Sequence, residues 1–182
     1  MMMEQKPSDW NDWIARALDD RDIAPAELPD IDLYMDQIIT LFESRMGGNR
    51  RRPEDKLLTK TMINNYSKEG LLQPIKGKKY SRDHILQMLM IYNLKQTLSI
   101  QDIKALFGAL DSQMPLADLY TSFLELKGEL RNQLPESLER LCASPRFDGF
   151  DENERRILLV LALSAAGNYF KRLSEQIIDQ CF

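Results

Sequence analysis

Apolar residues recur at helical spacing along most of the chain. Trp10, Trp13, Ile14, Ala17 and Leu18 form one stripe, in a helix predicted over Ser8 to Leu18 with Ser8 as its cap. Pro25 and Pro29 mark Asp19 to Asp30 as a connector. Leu33, Tyr34, Ile38, Leu41 and Phe42 predict a second helix from about Ile31 to Met46, stopped by Gly47 and Gly48. The basic loop Asn49 to Lys56 follows, with three consecutive arginines and Pro53.

A third helix is expected from Thr59 to about Glu69, capped by Thr59 or Thr61. Its apolar stripe is narrow (Met62, Ile63, Tyr66), and the opposite face shows Lys60, Thr61, Asn64, Asn65 and Lys68. Gly70 ends it, and Leu71 and Leu72 enter the core. Gln73 to Tyr80 reads as two short extended pieces around a turn at Lys76-Gly77, a small basic hairpin. Ser81 caps a fourth helix running to about Gln96, and Ser99 opens a fifth with Asp102 three residues on. Beyond Asp111, helices are expected over Leu116 to Leu130 and Glu136 to Ala143, broken at Pro135. A last helix runs from Asp151 to about Asp179. Its first half, Ile157 to Ala166, is apolar nearly all round and is expected to be enclosed by other helices; it offers more apolar surface than one small bundle readily buries, so dimerisation through it is expected. Its second half narrows to Phe170, Leu173, Ile177 and Ile178.

Composition fits a soluble globular chain of one or two small domains. Met1 to Trp13 is polar, and Ile157 to Ala166 is too short to cross a bilayer, so no membrane association and a cytoplasmic location are expected. Cys142 and Cys181 lack ligand spacing and are expected as buried free thiols.

Charge changes the picture. The chain carries −4 overall, but Arg45 to Lys104 holds thirteen Lys and Arg against five Asp and Glu, a local +8 beside −12 elsewhere. A basic segment in an acidic chain suits a phosphate-binding surface and equally suits a solvated face.

Motif order, taken with the charge and the basic hairpin, favours the phosphate-binding surface. Ile63-Asn64-Asn65-Tyr66, then Gly70-Leu71-Leu72, Lys79-Tyr80-Ser81, the helix with Ile85 and Leu89, and Leu98-Ser99-Ile100-Gln101-Asp102-Ile103-Lys104 resemble the winged helix-turn-helix of the MerR family of transcription regulators. With Ile31 to Gln37 and Leu58 to Tyr66, the stretch from about Leu28 to Leu110 also resembles an uncharacterised bacterial family, grouped as a domain of unknown function and thought to carry a MerR-like domain.

The resemblance implies an all-α protein with a small two-stranded wing. Residues 1–30 are an N-terminal helix and connector, 31–110 the winged helix-turn-helix, and 111–182 a C-terminal helical bundle from about Met114 onward that dimerises, binds an effector, or both. Double-stranded DNA is the expected ligand. Lys60, Thr61, Asn64 and Asn65 would face a major groove, with Tyr66 partly core and its hydroxyl reaching a phosphate, and Lys68 beside them. Lys76, Lys78 and Lys79 on the wing and Arg82 after it would contact phosphates. Arg50, Arg51 and Arg52 would add phosphate contacts or form a solvated tip. Asn64 stands where MerR proteins carry arginine, the wing is short, and Gly47 to Leu58 is a long turn between the two helices. The alternative is a protein-interaction adaptor on the same scaffold. No cofactor, metal site or enzymatic motif is expected, and the single histidine, His84, reads as a surface residue.

Overall fold

The computed structural model describes residues 10–75, 77–110 and 115–182. Ser8, Lys76, Asp111 and Met114, each named in an expectation above, lie outside them. Helices α1 (Trp10–Leu18), α2 (Met35–Met46), α3 (Lys60–Lys68), α4 (Arg82–Leu94), α5 (Ile100–Gly108), α6 (Leu116–Cys142) and α7 (Glu152–Cys181) follow in order, joined by single 3-10 turns at Pro25–Glu27, Gly47–Asn49 and Pro145–Phe147. Strands β1 (Leu33–Tyr34) and β2 (Lys79–Tyr80) form a two-stranded antiparallel sheet.

α4 centres the core. Ile85, Leu86, Met88, Leu89 and Ile91 are all buried, along with Ile38, Phe42 and Met46 of α2, Ile63 of α3 and Ile103 of α5. The cluster runs on past residue 110: Tyr120 of α6 is fully buried, and Ile178 of α7 joins it. α6 packs on both α4 and α1.

The sheet differs from the expected hairpin. Leu33 pairs with Tyr80 and Tyr34 with Lys79, so β2 takes its partner from the residues before α2 and not from Gln73 to Ile75. The second helix therefore begins at Met35, where the Tyr34 N–H donates to Gln37 Oε1 at 2.8 Å. The Gln73 strand has a physical competitor. Its N–H donates to Gln87 Oε1 at 3.1 Å and its carbonyl lies 3.1 Å from His84 Nε2, so side chains of α4 satisfy both backbone groups. His84 Nδ1 also accepts from the Ser81 N–H at 3.1 Å and lies 2.7 Å from Ser81 Oγ. These bonds require the tautomer with the proton on Nε2. His84 is thus a buried clamp and not a surface residue.

Pro135 does not break the chain into two helices; it sits within the single α6. A proline there forfeits one hydrogen bond and crowds the carbonyl four residues back, at roughly 3 kcal/mol. Tertiary contacts offset this. Ile14 and Leu18 of α1 share a groove with Pro135, and the Arg131 guanidinium donates to Asp20 Oδ1 (2.5 Å) and to the Asp20 carbonyl (3.1 Å). Lys127, one turn earlier, binds Asp20, Asp22 (2.7 Å) and Asn93 (3.3 Å). Burial raises the Asp20 carboxyl, but the hydrogen bonds and charges of Lys127 and Arg131 outweigh it and hold the group below its usual value.

α7 starts at Asp151, whose carboxylate accepts from the Asn153 and Glu154 N–H groups while Glu154 accepts from the Asp151 N–H. Its apolar first half is not enclosed within the chain: Ile157, Val160, Leu161 and Leu163 are exposed, and only Leu159 and Ile178 of the whole helix are buried. Cys142 is half-buried and Cys181 exposed, both as free thiols, so burial of the pair does not hold. Among the described residues no helix is long and apolar enough to cross a membrane.

Candidate nucleic-acid interface

α3 is set by local chemistry at both ends. Thr59, not Thr61, is the N-cap: its Oγ1 accepts from the Met62 N–H at 3.2 Å. At the other end Gly70, with φ +74°, lets the Leu71 N–H reach the Tyr66 carbonyl (2.9 Å) and its own N–H reach that of Ser67 (3.1 Å). That is the Schellman closure, and it drops Leu71 into the core. Ile63 and Tyr66 face inward, so Lys60, Thr61, Asn64, Asn65 and Lys68 share the outer face, all exposed.

The engagement of these side chains differs. Lys60 pairs with Asp36 at the start of α2 (2.7 Å), an exposed pair worth little to stability. Thr61, Asn64, Asn65 and Lys68 make no side-chain hydrogen bond or ion pair among the described residues. Tyr66 is a core residue at 5% exposure, and burial pushes its phenol up from its ordinary value. Tyr66 lies on the inner side of the α3 wheel beside Ile63.

One flank of α3 leads to the wing. The Lys60–Asp36 pair joins it to the start of α2, and a shallow groove there is lined by Tyr34, Asp36, Ile75, Lys78 and Tyr80. Gly77, at φ +76°, makes the turn, and Lys78 is exposed at it. The Lys79 ammonium lies 5.1 Å from the centre of the Tyr34 ring, a cation–π contact that fixes its stem while leaving it exposed. Arg82 is occupied elsewhere. Its Nη2 donates to the Pro25 carbonyl at 2.8 Å and its Nη1 lies 3.6 Å from Asp30, so it ties α4 to the N-terminal connector. Lys76 lies outside the described residues.

The opposite flank leads to the basic loop, which is well anchored. Asn49 exchanges two 2.8 Å hydrogen bonds with the Arg21 backbone, and Leu57 and Leu58 are buried. Arg50 turns inward: its Nε donates to the Gly47 carbonyl and its Nη1 reaches Glu43, each at 3.0 Å. Arg51 and Arg52 remain exposed. Arg51, Lys56 and Lys95 line a cleft of about 390 Å³ with Met62, Tyr66 and Tyr92. Sequence reasoning counted Lys56 and Lys95 in the basic segment without assigning them a site. Lys95 lies about forty residues beyond the loop, at the end of α4, and no sequence spacing brings the two together.

No curated protein and no solved structure matches the chain significantly. A family model described as a domain of unknown function (DUF1836) matches residues 23–123, the stretch that contains α2 to α5, both strands and the start of α6. The chain belongs to that family.

Proposed function

We propose that this protein is a sequence-reading regulator of transcription that binds double-stranded DNA as a winged helix-turn-helix of MerR-like type, and that it works as a homodimer. The observation that carries the reading is the outer face of α3, where Thr61, Asn64, Asn65 and Lys68 stand exposed with no side-chain partner among the described residues. Asparagine is a poor helix former, about 0.5–0.7 kcal/mol worse than alanine at an interior position. Two in succession, with no side-chain bond among the described residues to compensate, suit a helix kept for what it touches. Asparagine can pair bidentately with adenine, and lysine can reach guanine or phosphate. Lys78 and Lys79 on the wing serve the backbone.

Support for a second copy comes from α7. Leu159, Leu163, Ala166, Phe170, Leu173 and Ile177 alternate at spacings of four and three, the seam of a coiled coil, and its last three members are exposed. The residues flanking that end (Tyr169, Ser174 and Gln176) are uncharged, so no like-charge repulsion opposes pairing of two such helices.

The test is titration of the full chain into its own upstream region and a matched random duplex at low and moderate salt, beside Lys60→Ala/Asn64→Ala. Tight binding that weakens steeply with salt, prefers the upstream fragment and collapses in the variant is the expected result. Absence of duplex binding at low salt overturns the reading in favour of a protein-binding adaptor.

A further inference from the structure

We infer that the cleft between the basic loop and the end of α4 seats a backbone phosphate of the same duplex that α3 reads, on the strand opposite the wing. The inference rests on the DNA-binding reading and adds a site to it.

Four basic residues line it, Arg50, Arg51, Lys56 and Lys95, against one carboxylate, Asp55, and of the four Arg50 is paired with Glu43. The Asp55 carboxylate already accepts from the Arg52 N–H at 2.9 Å. Among the described residues Arg51 and Lys56 have no acidic partner, while Lys95 donates to the Leu98 carbonyl at 3.3 Å and lies within electrostatic reach of Asp102. The loop that presents Arg51 and Lys56 is anchored. Asn49, Arg50, Leu57 and Leu58 are all spent on holding it, so Arg51 is displayed by its neighbours' engagement. A loop backbone already anchored has less conformational freedom to lose when it binds an anion.

Placement names the occupant. A helix is about 10–12 Å across with its side chains, and the major groove is about 12 Å wide, so an inserted helix has one phosphate ridge on each side. The wing lysines stand on the Lys60 flank of α3, and the cleft opens on the Met62 and Tyr66 flank. The long turn between α2 and α3 thereby supplies for one strand what the wing supplies for the other. A free phosphate ester would find the same cations, and the experiment must separate the two sources.

Duplex affinity is measured for the full chain from low to moderate salt, in wild type, Arg51→Ala/Lys56→Ala and the surface control Arg146→Ala, with thermal melts to confirm folding. Inorganic pyrophosphate is titrated in parallel. Each phosphate contact contributes about 0.9 to the slope of log affinity against log salt, so the double variant should lose roughly two from that slope while Arg146→Ala keeps it. Wild-type binding with the slope unchanged in the double variant overturns the seat and leaves the DNA reading standing. Absence of duplex binding by the wild type overturns both. Saturable pyrophosphate binding that the double variant loses, with no change in its duplex slope, overturns the duplex as occupant.

Discussion

Replacing Phe170 and Leu173 with alanine separates the stability of α7 from its association. In the single chain these side chains are 66% and 56% exposed. Full burial of such a side chain stabilises by about 1.5–3 kcal/mol, so a little over half of that, about 1–1.5 kcal/mol each, remains to be gained when a second copy covers them. A two-fold dimer loses four such side chains in the double variant. Association should therefore weaken by about 4–6 kcal/mol, a factor of roughly 10³–10⁴ in dissociation constant. The isolated chain should not suffer, because little is buried there and alanine is the better helix former. Sedimentation across low to high micromolar protein should show a dimer in wild type and a monomer in the variant, with equal thermal midpoints under dilute conditions. A wild type that stays monomeric throughout, or a variant that associates as tightly, would refute the reasoning. A drop in the midpoint of the dilute variant would show instead that these residues serve the fold of the single chain.

Asn64→Ala/Asn65→Ala should abolish preference for the upstream fragment while raising thermal stability, since each exposed asparagine in α3 yields about 0.5 kcal/mol to alanine; a destabilised variant in chemical denaturation would contradict the free-face argument. His84→Ala leaves the Ser81 N–H and the Gln73 carbonyl without partners beneath the wing. It should cost about 2–4 kcal/mol in urea unfolding and loosen Lys78 and Lys79 without touching α3. Asp20→Asn removes a carboxylate held below its usual value. Wild type should be the more stable at neutral pH, by about 0.5–1 kcal/mol for so exposed a pair, and the advantage should fade as pH drops through that lowered value. Thermal melts from neutral to acid pH would show this, and a constant gap between the two proteins would contradict it.

The helices were largely legible because each carries a sustained period and a chemical stop. The Schellman glycine Gly70 and the Ser99–Asp102 capping box are plain in the sequence and stand where they were expected. Leu33 and Tyr34 were not legible as a strand. Two residues fit the apolar period of α2 as well as they fit a ladder, and their partner lies 45 or more residues away. Pro135 argued for a break that only the α1 packing overrules. In the candidate site, the outer face of α3 follows from its narrow apolar stripe. The roles of the arginines do not follow from the sequence: Arg50 and Arg82 look as free as Arg51 until Glu43, Gly47, Pro25 and Asp30 are seen to hold them.

The pairing of Leu33 with Tyr80 has a kinetic consequence. Two residues of ladder must close a loop containing α2, α3 and their long connection, and so few hydrogen bonds cannot offset that closure entropy alone. The ladder should assemble only after α2, α3 and α4 have docked, contributing little to the folding transition state. For the same reason it is the part of this module that opens at least cost. Amide exchange at its bonded residues should run well ahead of exchange in α4, and the wing should swing as a unit hinged on the buried Tyr80 while the helices beneath it stay closed.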